Sequence, residues 1–143
     1  MEKGLLNTFD KELLLKDLCA RLPYNVICQV EFKENGKYNS KVMLLSGIFT
    51  DEAYFTTKGG SIYSNEYKPY LFPLSSMTDE QKKEYYNLCF EEEREEREYG
   101  EWITRVYYHN TIESIDWLNK NHFDYRDLIE KGLAIDCTNL NIY

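Results

Sequence analysis

The sequence has no long apolar run, no paired cysteines and few residues that break regular structure, and each shortage removes a class of protein. No stretch approaches the roughly 20 apolar residues that a bilayer-crossing helix needs. The start, MEKGLLNTFDKELLLKD, carries charge in every turn where a signal peptide would carry an apolar block. A cytoplasmic, non-membrane protein is the expectation. The four cysteines stand far apart, at 19, 28, 89 and 137, with no CxxC pair. That excludes a zinc ribbon and a thioredoxin-type motif and predicts reduced, mostly buried thiols. Only two histidines occur, His109 and His122, thirteen positions apart and without HExxH spacing; no metal and no other cofactor is expected. With 7 Gly and 3 Pro against 43% hydrophobic and 15% aromatic residues, the chain is not disordered. Its 143 residues fit one domain that can bury a core without staples.

Basic charge is also in short supply. Net charge is −8, and its distribution is uneven: residues 1–77 hold nine acids and nine bases, 78–101 ten and four, 102–143 six and four. An acidic chain without a basic stripe is a poor fit for DNA or RNA, whose binding rests mainly on neutralising phosphates.

What is present reads as an α+β single domain, residues 1–77 forming a helix plus an antiparallel sheet and residues 78–143 a mainly helical part. DKELLLKDLCARL is a helix in which Leu14, Asp17, Leu18 and Arg21 share a stripe, and Pro23 stops it. YNVICQVEFK alternates with period two, Tyr24, Val26, Cys28, Val30 and Phe32 facing one way. Asn35-Gly36 is a type I′ hairpin signal. The returning strand KVMLLSGIFT is apolar on both faces, and Gly47 marks a bend or bulge. Turns at Asp51-Glu52 and Gly59-Gly60 delimit AYFTT and SIYS, and Pro69 and Pro73 predict that EYKPYLFPL is an edge strand or an irregular run. Short strands, tight turns and a central bend favour a small, curled, SH3-like barrel.

Further along, Thr78 and Gln81 in MTDEQKKEYY form a capping box, and the helix they start is expected to run on through the polar stretch EEEREERE, which must project into solvent or fray. Glu93 and Arg97 would pair on it at i,i+4. EWITRVYYH alternates like a strand and is expected to rejoin the sheet, and Thr111 caps a helix over IESIDWLNKNH. The stretch NHFDYRDLIEKGLAID resembles a catalytic cluster, yet its residues read as punctuation of a short helix. Asp124 would be the N-cap, Asp127 the acidic residue three positions on, Phe123 a staple on Leu128, and Gly132 the left-handed C′ residue behind which Leu133 folds onto Leu128. His122 would lie partly buried, or stabilised by the dipole, at the end of the preceding helix.

Catalytic constellations are absent. EFK at 31–33 lacks a converging upstream acid, KGGS at 58–61 lacks the remainder of a phosphate loop, and there is no GxSxG elbow. A non-enzymatic protein is expected. The chain's excess is tyrosine, thirteen in all. Most suit strand packing, but Tyr85 and Tyr86 are consecutive and cannot both point inward. An aromatic surface beside an acidic helix suits a protein partner with a basic surface, so Glu92, Glu93, Glu95, Glu96, Tyr85 and Tyr86 are the candidate partner-binding residues. A narrower form is a decoy or inhibitor whose carboxylates imitate phosphates. The alternative is a small-molecule or nucleotide binder, with a site between subunits of a homo-oligomer, in which Tyr67, Lys68, Tyr70 and Arg126 stack on a base and hold phosphate.

Three blocks, KDLCARLPYNVICQV (16–30), KPYLFPLSSMTDEQKKEYYNLC (68–89) and SIDWLNKNHFDYRDLIEKGLAID (114–136), resemble a family of small proteins from gut anaerobic bacteria, their phages and mobile elements. The resemblance covers about 60 residues and implies no activity, cofactor or site residue. Residues 38–66 and EEEREEREYG fall outside these blocks, which makes them the places where specificity would vary.

Overall fold

In the computed structural model residues 7–50 and 52–143 are described. Helix α1, Thr8–Arg21, is capped by the Asn7 side chain, which accepts the Asp10 amide at 2.8 Å. Pro23 ends it through a 3-10 turn over Leu22–Tyr24, and Asn25 takes a left-handed φ of 58° that redirects the chain into the sheet. The stripe read from the sequence is the buried one: Leu14, Asp17, Leu18 and Arg21.

Strands β1 (Ile27–Glu34) and β2 (Lys37–Ile48) pair antiparallel around Asn35-Gly36, whose φ values of 52° and 78° are the two positive angles a type I′ turn requires. Pairing of β2 with β3 (Ala53–Thr57) slips between Leu45 and Gly47, which is the bulge expected there. Asp51 of the next turn lies outside the described residues; Glu52 accepts the Phe49 amide at 2.8 Å. β4 (Gly60–Ser64) returns along β3, and β5 (Glu66–Pro73) crosses to the far side of β1. Two short strands, β8 (Phe123–Asp124) and β9 (Ile135–Asp136), pair with β5 in parallel.

The result is a mixed sheet in the order β4-β3-β2-β1-β5-β8 with β9 also on β5, and the fold is α+β. The sheet does not close into the SH3-like barrel anticipated. β4 and β5 run end to end with only Asn65 between them, so they cannot lie side by side, and β5 gives its second edge to β8 and β9. The corner is pinned instead by Ser64, whose hydroxyl donates to the Glu31 carbonyl at 2.6 Å. β5 is therefore not an edge strand. It tolerates its prolines because Pro69 sits at the last paired position with β1, opposite Cys28, and Pro73 at the last with β8, opposite Asp124.

One apolar cluster joins the sheet to α1 and the 128–134 turns, with Leu18, Val26, Val30, Phe55, Leu71, Leu128 and Leu133 at its centre. A second joins Trp117, Leu118 and Phe123, with Tyr85 and Leu88 packed against it. The capping boxes are formed: Thr78 with Gln81 starts α2 (Asp79–Leu88), and Thr111 with Ser114 starts α3 (Ile112–Lys120).

Two expectations are corrected. The acidic helix does not extend beyond Leu88: Phe90–Glu96 is a strand, β6, paired antiparallel with β7 (Trp102–Tyr108) in a separate two-stranded sheet, so β7 does not rejoin the main one. As a helix, EEEREERE has no apolar side to bury; as a strand, Phe90–Glu96 gains backbone partners at alternate positions from the strand-prone WITRVYY. The second correction concerns 125–132, which forms consecutive turns and no helix. Its punctuation is present nonetheless. The Asp124 carboxylate accepts the amides of Arg126, Leu128 and Ile129, and the Schellman pair runs from Leu133 to the Leu128 carbonyl at 2.8 Å and from Gly132 to Ile129 at 3.0 Å, with Gly132 at φ 74°. Asp127 has φ 57°, which interrupts a helix before it can begin. Among the described residues no helix is long and apolar enough to cross a membrane.

Candidate functional site

The β6–β7 ribbon stands where a short loop would normally join two packed helices, here α2 and α3. Its base is held by both of them. The Cys89 carbonyl accepts the His109 amide at 3.1 Å, the Thr111 hydroxyl donates to the Leu88 carbonyl at 2.7 Å, and the Tyr85 hydroxyl donates to Asn110 Oδ1. Burial, followed by a hydrogen bond with Cys89, pushes the Tyr85 phenol up to about 12, so it remains a donor at neutral pH. Tyr85 packs on Trp117 at 5.8 Å while Tyr86 is exposed, dividing the tyrosine pair as its consecutive spacing requires. His109 pairs with Glu91 at the same base; hydrogen bonds to the Asn110 carbonyl and then to Glu91 raise its pKa.

Beyond the base nothing among the described residues covers the ribbon. Every β6 residue and every β7 residue except the half-buried Ile103 is exposed. Residues opposite one another share a face, so Phe90/Tyr108, Glu92/Val106, Arg94/Thr104 and Glu96/Trp102 form one side, and Glu91/Tyr107, Glu93/Arg105 and Glu95/Ile103 the other. The first side is aromatic and apolar along β7 and charged along β6, with Phe90 edge-on to Tyr108 at 5.7 Å. On the second, Arg105 reaches Glu95 diagonally at 3.3 Å. Between Phe90 and Tyr108 there are seven acids and three bases, a net −4 that is half the charge of the whole chain. At the tip, Tyr99 is 99% exposed and holds φ 71°, a left-handed backbone that a bulky residue rarely adopts. Glu92, Glu93, Glu95 and Glu96 thus lie together on one strand with Tyr86 and Tyr85 in the helix below it.

The residues of the alternative site do not meet. Tyr67 packs against the main core with its ring tilted against Phe55 at 5.1 Å, Lys68 is exposed, and Tyr70 is buried with its carbonyl accepting the Tyr143 hydroxyl at 2.9 Å. Arg126 lies elsewhere, over the Tyr125 ring at 4.6 Å, donating to Tyr125 Oη at 2.9 Å and to Asp17 Oδ1 at 2.8 Å.

That last bond belongs to a buried network the sequence shows only as a stripe. Asp17 and Arg21 are both fully buried; Arg21 Nε and Nη2 donate to the Asp17 carboxylate at 2.7 and 3.1 Å, and Nη2 also donates to the Phe123 carbonyl at 2.6 Å. His122, at φ 63° just past the end of α3, stacks on Tyr143 with ring centroids 3.6 Å apart. Burial and then the Arg21 charge push its pKa down to about 4, so it is neutral, and the partly buried alternative of the two expected for it is the one found. The signal was legible: an acid and a base at i,i+4 on the same stripe as two leucines that go to the core. Of the thiols, Cys28, Cys89 and Cys137 are buried and Cys19 is exposed. Comparison with protein-family models, curated proteins and solved structures finds no match.

Proposed function

We propose that this chain is a non-enzymatic accessory protein that acts by binding a protein partner with a basic surface through the β6–β7 ribbon. The supporting observation is the ribbon itself: two strands, exposed on both faces, carrying half the net charge and a row of aromatic residues. A two-stranded ribbon without a third strand or a helix beneath it is marginal in water, and exposed aromatic residues beside carboxylates are the composition of a contact surface. The narrower reading is inhibitor or decoy, the partner being a nucleic-acid-binding protein whose cationic groove takes the glutamates in place of phosphates. Resemblance to proteins of phages and mobile elements supports an accessory role in the cytoplasm. The body beneath is read as an SH3-like curl left open, supported by the bulge before Gly47 and the Ser64 corner.

The test is carboxylate-to-amine zero-length cross-linking in a clarified bacterial extract, comparing the wild type with the variant carrying Gln at 92, 93, 95 and 96. The reading expects cross-links from these glutamates to lysines of one discrete partner, weakened by salt and lost in the variant. Release of that partner by a DNA oligonucleotide marks the decoy form. Equal capture by the variant, or cross-links that avoid the ribbon, would overturn the proposal.

A further inference from the structure

The two edges of the ribbon differ, and the difference selects an occupant. Just beyond the ladder at one end the His109 amide donates to the Cys89 carbonyl, and at the other the Arg97 amide donates to the Glu101 carbonyl. Both pairs keep the register that joins Phe90 to Tyr108 and Glu96 to Trp102. Since hydrogen-bonded and non-bonded pairs alternate along an antiparallel ladder, Glu91/Tyr107, Glu93/Arg105 and Glu95/Ile103 are the bonded pairs. The backbone N–H and C=O groups of Trp102, Thr104, Val106 and Tyr108 therefore point outward from β7, and those of Phe90, Glu92, Arg94 and Glu96 outward from β6. Among the described residues no third strand meets either edge.

The β6 edge carries five glutamates, the kind of charge that keeps strands apart. β7 carries no acid, no lysine and no proline; six of its seven residues are aromatic or β-branched and the seventh is Arg105. It is an unprotected, strongly strand-forming edge.

We infer that the β7 edge is a self-association surface that pairs antiparallel with β7 of a second copy of this chain, giving a four-stranded sheet with the glutamate strands outermost. Charge decides in favour of this arrangement. Two chains of net −8 repel, but in this order the two β6 strands are separated by three strand spacings, about 14 Å, beyond the screening length of about 8 Å at physiological salt. Pairing through β6 would set glutamate against glutamate. A two-fold axis centred on Arg105 would set that arginine against its own copy, whereas centring it on Thr104, whose backbone groups face outward, sets Arg105 opposite the partner's Ile103. Thr104 then meets Thr104 of the partner subunit, and Trp102 meets the partner's Val106 twice, an aromatic and β-branched pair on the apolar face. The contact does not rest on the basic partner proposed above, and it would leave both acidic strands free for one.

The test uses the full chain and a pair of edge variants. Val106→Pro removes an outward N–H and no bond inside the ribbon; Glu92→Pro does the same on the acidic edge. Sedimentation velocity from low micromolar to a few hundred micromolar should show the wild type and Glu92→Pro moving to twice the 17.1 kDa chain mass and Val106→Pro remaining single. Hydrogen exchange should slow with concentration at the amides of Thr104 and Val106 and not at Glu92 or Arg94, and raising the salt should not dissolve the dimer. A wild type that stays monomeric with concentration-independent exchange, or a dimer that survives Val106→Pro, would overturn the inference. A dimer lost in Glu92→Pro or dissolved by salt would assign the contact to the acidic edge instead.

Discussion

Replacing Asp17 by Ala should be among the most damaging single changes in this chain, and the magnitude follows from the bonds it breaks. The Asp17 carboxylate is fully buried and accepts three hydrogen bonds, two from Arg21 and one from Arg126. Removing it leaves the Arg21 guanidinium, also fully buried, with no counter-charge and only the Phe123 carbonyl and the Tyr125 ring as partners. Breaking a buried pair from one side typically costs about 3–5 kcal/mol, a large part of the roughly 5–15 kcal/mol that holds a domain of this kind. Arg126→Ala is the matched control. Its side chain is 18% exposed, and its loss leaves Asp17 still paired with Arg21, so about 1–2 kcal/mol is expected. Removing both charges together, Asp17→Leu with Arg21→Met, leaves mainly the Phe123 carbonyl unsatisfied and should cost about 1–3 kcal/mol, less than Asp17→Ala alone. Urea unfolding of the four proteins at pH 7 measures this through the midpoint at constant m. The reasoning fails if Asp17→Ala costs no more than Arg126→Ala, or if the double replacement costs as much as Asp17→Ala.

Two further outcomes follow from the same region. His122 takes up its proton near 6.5 when unfolded and only near 4 when folded, because burial and Arg21 oppose the charge, so its contribution is complete above pH 6.5 and is lost as pH falls towards 4. The whole shift would be worth about 3 kcal/mol, and the partial exposure of the ring reduces this to about 1–2 kcal/mol; urea midpoints at pH 7 and pH 5 should differ accordingly in the wild type and much less in His122→Phe. Gly132→Ala meets no atom within 4 Å, so its cost is purely that of a left-handed backbone, about 1–2 kcal/mol; an Ala that leaves the unfolding midpoint unchanged would show that this Schellman turn does not need its glycine.

Local chemistry was the legible part of the sequence. The Asn35-Gly36 turn, the bulge before Gly47, the Thr78–Gln81 capping box, the Thr111 cap and the Gly132 closure each depend on a few adjacent residues whose backbone preferences are strong, and each is found. What failed was anything decided at long range. EEEREERE has helix-forming composition, and only pairing with Trp102–Tyr108 turns Phe90–Glu96 into a strand. That the sheet stays open was not legible either, because closure depends on which edges β5 takes, and those edges are supplied by residues 123–124 and 135–136, about fifty positions away. The candidate site was legible in its residues but not in its shape: the glutamates and aromatic residues were singled out, while their assembly as a ribbon needed the pairing.

The architecture also separates stability from interaction, and this can be tested by cutting. No residue from 90 to 108 belongs to either apolar cluster. The two helices that carry the ribbon are already joined below it by Tyr85 on Trp117, by Thr111 to Leu88, and by the His109 amide on the Cys89 carbonyl, which holds the chain ends adjacent. Connections of about 2–8 residues commonly join such helices, so replacing 90–108 by a short Gly-Asn loop closes a gap that is already spanned. The folded body should then unfold within a few degrees of the intact chain, since burial lost there is nearly nil. The same deletion should abolish both partner capture and self-association, because the charge, the aromatic row and the open β7 edge leave together. If the shortened chain fails to fold, the ribbon is part of the core's support, and its exposed aromatic residues would have to be explained as structure and not as surface.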